Sequence, residues 1–121
     1  MTSRFTELII DCADPERLAA FWRAVLGWDL KERSESGNEI EIADPAGALP
    51  TLLFIRVPEA KTVKNRLHID VNAVGTDQPA EVERLVGLGA RHVDVGQGES
   101  SWVVLADPEG NEFCVLRSRL D

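Results

Sequence analysis

Alternating apolar and polar positions predict the first strand and the first helix of this chain. Between positions 5 and 12 the even positions are mostly apolar, whereas the odd positions mix apolar and acidic residues. A period of two is typical of a strand that has one face against a helix. Asp14 and Pro15 then provide a helix cap and a first helical residue. Apolar residues follow at helical spacing, and Gly27 is suited to end the helix.

Turn-forming residues divide the rest of the first half into three predicted strands, at about 28–34, 38–44 and 51–57. A polar stretch at 58–65 then connects to a second half with the same order of elements. There we predict a strand over 66–73 and a helix over 78–88. The buried stripe of this helix should contain Val82, Leu85 and Val86. Three more strands are expected near 91–96, 101–106 and 111–117.

Short sequences recur in the same order in both halves. Leu-Ile-Ile-Asp at 8–11 resembles Leu-His-Ile-Asp at 67–70, and Ala-Asp-Pro-Ala-Gly at 43–47 resembles Ala-Asp-Pro-Glu-Gly at 106–110. This order predicts a duplicated strand-helix-strand-strand-strand module. Half of such a repeat cannot bury its apolar face alone, so we expect one domain. The predicted first module, linker and second module are about 4–57, 58–65 and 66–118.

Composition and charge restrict the possible functions. A chain of 121 residues corresponds to one ordinary domain. Its net charge of -8 argues against broad nucleic-acid binding and against binding to an anionic membrane. No apolar run approaches the roughly 20 residues that span a bilayer, and the N-terminal residues do not resemble a secretory signal. We therefore expect a cytoplasmic protein in which Cys12 and Cys114 are reduced thiols.

Longer segments of the sequence indicate a protein family more specifically than these short repeats do. They are Asp-Cys-Ala-Asp-Pro-Glu-Arg at 11–17 with the Phe-Trp and Leu-Gly-Trp that follow, the segment 57–70, Leu-Gly-Ala at 88–90, and the segment 102–116. Together they resemble the vicinal oxygen chelate superfamily, in particular its glyoxalase-like domains. The resemblance implies an α+β fold in which two βαβββ modules form a curved mixed sheet around a cleft.

The resemblance also implies a position for a metal ion. In metal-dependent members a divalent ion is held by His, Glu or Gln side chains from the first and last strands of the modules. His68 falls at the histidine position of the second module, and the matching position of the first module is Glu7 or Ile9. Cys114 stands where a carboxylate is usual, and Glu112 lies one pleat earlier. The implied ligands are therefore His68 and Glu7, for Zn, Ni, Fe or Mn.

Other polar residues of the second module are candidates for catalysis or ligand binding. Arg66, His68 and Asp70 share one strand face. Because unpaired buried charge is costly, this face needs either solvent or polar partners, as a ligand cavity or a dimer interface would provide. His68 and Asp70 are the predicted catalytic residues, with His68 as a general base whose charge state is set by Asp70. The alternative is a structural histidine bonded to Asp70 or Arg66. Lys61, Lys64 and Arg66 form either an anion site at the mouth of the cavity or a solvated linker. The predicted ligand-binding residues are Arg66, Trp102, Glu112 and Cys114.

Three classes of function agree with these features. The first is a small-molecule enzyme of the lyase, isomerase or oxygenase type, with or without a metal. The second is a metal-free protein that binds or sequesters an antibiotic-like small molecule, and the third is a structural or regulatory domain. We also expect a homodimer, because a small domain of two modules often completes its cleft with a partner.

Overall fold

The computed structural model describes residues 1–96, 98 and 100–121 and shows the same order of elements in both halves of the chain. The two compact units are Met1–Ala60 and Lys61–Asp121. The first unit contains β1 (Glu7–Cys12), α1 (Pro15–Leu26), β2 (Asp29–Arg33), β3 (Glu39–Ala43) and β4 (Thr51–Arg56). The second unit contains β5 (Ile69–Val71), α2 (Gln78–Leu88), β6 (Arg91–His92), β7 (Val103–Ala106) and β8 (Glu112–Val115).

Each unit contains a four-stranded mixed sheet with the same topology. The strand order is β1-β4-β3-β2 in the first unit and β5-β8-β7-β6 in the second. In both sheets the first strand lies at an edge and runs parallel to the last strand, whereas the other pairs are antiparallel. The α+β fold of two βαβββ modules, predicted from the repeat and from the resemblance, is therefore confirmed.

Aspartate side chains fix the beginning of both helices. Oδ1 of Asp14 accepts a hydrogen bond from the backbone N–H of Arg17 at 3.2 Å, and Oδ1 of Asp77 accepts one from Ala80 at 2.9 Å. These bonds satisfy backbone donors that have no partner within the helix. Gly27 ends α1 with a φ of 68°, a left-handed conformation that costs glycine little. The predicted ends of α1 are confirmed.

The repeated Asp-Pro-x-Gly sequences form the same turn in both units. The N–H of Gly47 donates to the carbonyl oxygen of Asp44 at 2.8 Å, and the N–H of Gly110 donates to that of Asp107 at 2.9 Å. Asp107 is almost fully buried, and its carboxylate also accepts hydrogen bonds from the backbone and side-chain amides of Asn111. The turn before β8 is therefore stabilised by side-chain hydrogen bonds in addition to its backbone hydrogen bond.

Large apolar side chains fill the interior of each unit. In the first unit α1 packs on β3 and β4, and Phe21 meets Trp22 edge to face, with ring centroids 5.4 Å apart. The most buried large side chains of this unit are Leu18, Trp22, Ile40, Ile42 and Phe54. Those of the second unit are Leu85, Leu105, Phe113 and Val115. In the part of the chain that the structure describes, no helix has the length and apolar character needed to cross a bilayer.

The strands of the second unit are shorter than predicted. β5 covers Ile69–Val71 instead of 66–73, because its pairing with β8 is limited to Phe113, Cys114 and Val115. Leu67 would lie on the face opposite His68 and Asp70 in the longer strand, but it precedes β5 and is 80% exposed. β6 ends at His92, although one backbone bond, from Val93 to Val104, continues the pairing.

The buried stripe of α2 also differs from the prediction. Leu85 is fully buried and Val82 nearly so, but Val86 is 41% exposed. Glu81 occupies the buried face instead, because Arg84 neutralises its carboxylate with hydrogen bonds of 2.7 and 2.8 Å. The apolar spacing identified the helix correctly but could not show that an ion pair would replace one apolar residue of the stripe.

We expect Leu85→Ala to lower the free energy of unfolding by about 2–5 kcal/mol, because it leaves a cavity in the interior of the second unit. Val86→Ala removes an apolar side chain from the same helix and should cost less than about 1 kcal/mol, since that side chain is half exposed. Urea denaturation followed by circular dichroism measures both. Equal losses would contradict the burial described here.

Candidate functional site

The register of β5 against β8 brings together three polar side chains of the second unit. Asp70 lies in the middle of β5 and is paired with Cys114 of β8. His68 directly precedes β5, and its side chain lies on the same side as Asp70 because alternate residues of a strand share a face. His68 Nε2 and Asp70 Oδ1 are 3.1 Å apart. One ligand atom from each of His68, Asp70 and Cys114 lies within 4.8 Å of the other two.

Two opposing effects act on the thiol of Cys114. Burial raises its pKa, and so do the negative charge of Asp70 and the hydrogen bond between the thiol and that carboxylate. The positive charge of Lys64 acts in the opposite direction but does not reverse the shift. The thiol is therefore neutral at neutral pH and donates to Asp70, whose Oδ1 also lies 3.1 Å from Nε2 of His68. We call His68, Asp70 and Cys114 the polar triad.

A cavity of about 440 Å³ opens beside the polar triad. Apolar side chains form much of its wall, and the largest is Trp102, which is 41% exposed. A partly exposed tryptophan beside convergent polar groups is typical of a small-molecule site. The lining consists of Lys64, His68, Asp70, Val95, Gly96, Trp102, Val104, Glu112, Cys114 and Leu116.

Glu112 also lines this cavity, but both of its carboxylate oxygens are already bonded. Oε1 accepts the backbone N–H of Asn65 at 2.8 Å, and Oε2 accepts the ammonium group of Lys61 at 2.9 Å. Burial alone would raise the pKa of Glu112, but the hydrogen bond from Asn65 and the contact with Lys61 outweigh it, and the pKa is lowered. Glu112 is therefore ionised at neutral pH and holds the segment 61–65 against β8.

Five of the seven residues predicted for the site belong to the lining of one cavity. His68, Asp70, Trp102, Glu112 and Cys114 all line the cavity. Among the residues described, Arg66 does not line it. Glu7 belongs to the first unit, where it starts β1 opposite Thr51 and is exposed.

Asp70 was predicted as a catalytic residue and not as a metal ligand. The separation of His68 and Asp70 along the chain was visible in the sequence, but the approach of Cys114 depends on strand pairing between distant segments. Lys64 was recognised as part of a basic cluster, yet nothing in its neighbours distinguished it from Lys61. A pairing pattern between 69–71 and 113–115, as a set of related sequences could reveal, is the signal that would have found the triad.

A smaller cavity of about 180 Å³ lies in the first unit. Its lining includes Glu32, Glu39 and Glu41, and the carboxylate of Glu41 is bonded to the Thr51 hydroxyl at 2.6 Å and paired with Lys31 at 3.6 Å. Within the described residues, the cluster with metal-ligand spacing is the polar triad of the second unit. We therefore take the cavity beside the polar triad as the candidate site.

Comparison with known families agrees with the architecture. A family model described as "Glyoxalase-like domain" matches residues 7–116, which is most of the chain. The resemblance inferred from the sequence is thereby confirmed. Among curated protein sequences, no significant match to this chain was found.

Solved structures of low sequence identity share the fold. The fosfomycin resistance protein FosX from Mesorhizobium loti has a TM-score of 0.72 at 15% identity, over 98% of this chain and 94% of that chain. FosX from Listeria monocytogenes, a mutant complexed with Mn(II) and 1S,2S-dihydroxypropylphosphonic acid, has a TM-score of 0.69 at 14% identity, over 96% and 90%. A glyoxalase/bleomycin resistance protein/dioxygenase family enzyme from Burkholderia phytofirmans PsJN has a TM-score of 0.62 at 20% identity, over 93% and 97%.

The lowered pKa of Glu112 predicts a pH-dependent contribution to stability. A carboxyl group whose pKa is depressed by folding stabilises the folded chain above its unfolded pKa, and that contribution is lost as the pH falls through the folded pKa. We expect Glu112→Gln to lower the free energy of unfolding by about 1 kcal/mol at neutral pH. The difference from the unmodified protein should shrink as the solution is acidified below the usual glutamate range.

Urea denaturation at a series of pH values tests this expectation. Glu35→Gln removes the same charge from an exposed turn of the first unit and should stay within about 0.5 kcal/mol of the unmodified protein at every pH. A loss in Glu112→Gln that does not depend on pH would show that the ionised carboxylate is not its source.

Proposed function

Because this chain belongs to the glyoxalase-like domain family, we propose that it binds a small organic molecule in the cavity beside the polar triad and acts on it as an enzyme of the lyase, isomerase or oxygenase type. The observation that carries this proposal is the polar triad, where three groups able to exchange protons or bind a metal meet at one end of an apolar cavity. An apolar wall with a few convergent polar groups is the usual composition of such sites.

The polar triad fits a divalent metal ion. Its donor atoms are a ring nitrogen, a carboxylate oxygen and a sulfur, and they are close enough to converge on one ion with small adjustments. A mixed set that includes a cysteine favours zinc over the harder manganese ion. When bound there, a metal ion would polarise an oxygen of the substrate or activate a water molecule. Support by analogy comes from the FosX structure that contains Mn(II).

The residues of the triad have distinct tasks in this proposal. Asp70 orients His68 through Nε2, which leaves Nδ1 of the imidazole to exchange a proton with a bound molecule or to bind an ion. Cys114 must lose its proton before it can act as a ligand, so metal binding at this site releases a proton and strengthens as the pH rises. Trp102 provides apolar contact area for the body of the molecule.

One observation favours a metal-free binding or sequestering protein as a second candidate. The polar triad already has internal contacts, because Asp70 lies 3.1 Å from Nε2 of His68 and accepts a hydrogen bond from the thiol of Cys114. The raised pKa of that thiol opposes the thiolate that a metal requires. In this alternative the cavity binds its ligand without an ion. The homodimer and the cytoplasmic location remain predictions of the sequence.

Titration with Co²⁺, a spectroscopic substitute for Zn²⁺, distinguishes the two candidates. We expect the protein to bind the ion stoichiometrically and to develop a thiolate-to-cobalt charge-transfer band. Cys114→Ser should abolish the band. His68→Gln should weaken cobalt binding by roughly tenfold or more, because loss of an outer-shell partner already costs about tenfold and His68 is a ligand in this proposal. The direction expected with pH is tighter binding at higher pH, because the thiol must ionise.

Matched variants are available for both ligands, since the chain contains two cysteines and two histidines. Cys12→Ser and His92→Gln should leave the cobalt spectrum and the affinity unchanged. If no band develops, or if it persists in Cys114→Ser, the metal site is refuted. Thermal shifts with a panel of natural products in the presence of a chelator then test the metal-free candidate.

A further inference from the structure

Lys64 is the residue of the cavity whose charge is least compensated. Its ammonium group donates to the carbonyl oxygen of Asn65 at 3.3 Å, and within the described part of the chain it forms no ion pair. Lys61, three residues earlier, is bonded to Glu112 and also to the carbonyl oxygen of Val63. The two lysines of the basic cluster are therefore not equivalent, because one is neutralised and the other lines the cavity.

Glu112 fixes the segment that carries Lys64. Its carboxylate binds Lys61 at one end of the segment and the backbone N–H of Asn65 at the other. The side-chain amide of Asn65 adds a longer contact of 3.4 Å to Asn111. Lys64 lies between these two attachments, so the position of its ammonium group at the cavity depends on Glu112.

The two carboxylates of the cavity already have partners. Glu112 forms an ion pair with Lys61, and Asp70 lies 3.1 Å from Nε2 of His68 and accepts a hydrogen bond from the Cys114 thiol. An ammonium group beside a partly desolvated apolar wall attracts an anion more strongly than it would in bulk water. Lysine suits a compact oxyanion because it acts as a point charge with rotatable donors.

We propose that Lys64 binds the anionic group of the ligand of this cavity, and that Glu112 is a positioning residue that holds segment 61–65 so that Lys64 faces it. The ligand class is an apolar or aromatic body that carries a carboxylate, phosphonate or sulfonate group. The body contacts Trp102, and the oxyanion contacts Lys64. This inference rests on the proposed function, namely that the cavity binds a small organic molecule.

Two probes that share a ring but differ in charge test the role of Lys64. Phenylphosphonate is the anion and benzyl alcohol is its neutral counterpart. Binding is followed by NMR through the indole N–H signal of Trp102, which Trp102→Phe assigns among the three tryptophans. We expect phenylphosphonate to bind more tightly than benzyl alcohol, with a preference that falls as salt is added.

Lys64→Met should weaken phenylphosphonate binding by about tenfold, which corresponds to the loss of one charge-assisted hydrogen bond. The same variant should leave benzyl alcohol binding unchanged, and Lys64→Arg should retain most of the affinity for the anion. Lys31→Met is the matched control, because it removes a lysine that is paired with Glu41 in the first unit. It should not alter binding of either probe.

The sign of the effect in Glu112→Gln tests the positioning role. If Glu112 acted merely as a negative charge in the wall, its removal would tighten binding of the anion. If it holds the segment, its removal weakens that binding and speeds hydrogen exchange of the Asn65 backbone amide. We expect the second result, in a variant whose NMR spectrum otherwise shows a folded protein.

Each other outcome overturns a defined part of the proposal. Equal binding of both probes, or anion binding unaffected by Lys64→Met, refutes the anion site while leaving the small-molecule cavity intact. Tighter anion binding in Glu112→Gln refutes the positioning role. If neither probe shifts the Trp102 signal, the anion site and the use of this cavity in the proposed function both fail.

Discussion

The parallel pairing of β5 with β8 is the constraint on which the candidate site depends. It places Asp70 opposite Cys114, and the alternation of the strand then brings His68 to the same side. A slip of one residue in this pairing would turn a whole set of side chains to the other face of the sheet. The buried side chains of Phe113 and Val115 oppose such a slip, because it would expose them to water. Packing in the interior therefore fixes the chemistry at the cavity.

The same strand carries two acidic groups with opposite pKa shifts. Glu112 and Cys114 are two residues apart on β8 and both line the cavity. Glu112 receives a backbone N–H and an ammonium group, which favour its charged form, whereas Cys114 is buried next to the carboxylate of Asp70, which favours its neutral form. At neutral pH, Glu112 is therefore ionised and Cys114 is protonated. Separation of this kind gives neighbouring acids different tasks in one site.

The sequence was sufficient for features that depend on neighbouring residues. The capping of α1 by Asp14, its end at Gly27 and the repeated turns all follow from local preferences, and the structure confirms them. The extent of β5 did not follow, because it depends on pairing with β8, which is distant in the sequence. Val86 likewise fits the helical spacing of the apolar residues. Spacing alone cannot show that Val86 is partly exposed while Glu81, paired with Arg84, lies on the buried face.

The part of the candidate site that lies within a single segment could be predicted from the sequence. His68 and Asp70 share a strand face in any register, so their proximity could be expected from alternation alone. Their contact with Cys114, and the difference between Lys61 and Lys64, depend on how distant segments meet. Resemblance to a family supplied the position of His68 and implied Glu7 as its companion, which stays a prediction. Within the second unit, the structure groups His68 with Asp70 and Cys114.

The two units share one topology but differ in the polar contacts of their turns. Both contain the Asp-Pro-x-Gly turn before the last strand, but the next residue is Ala48 in the first unit and Asn111 in the second. The side chain of Asn111 binds the buried carboxylate of Asp107 and also meets Asn65, so this turn is linked to the segment that carries Lys64. The methyl group of Ala48 has no means of making such a link. The same topology thus occurs twice, and polar residues of the second unit link its turn to the candidate site.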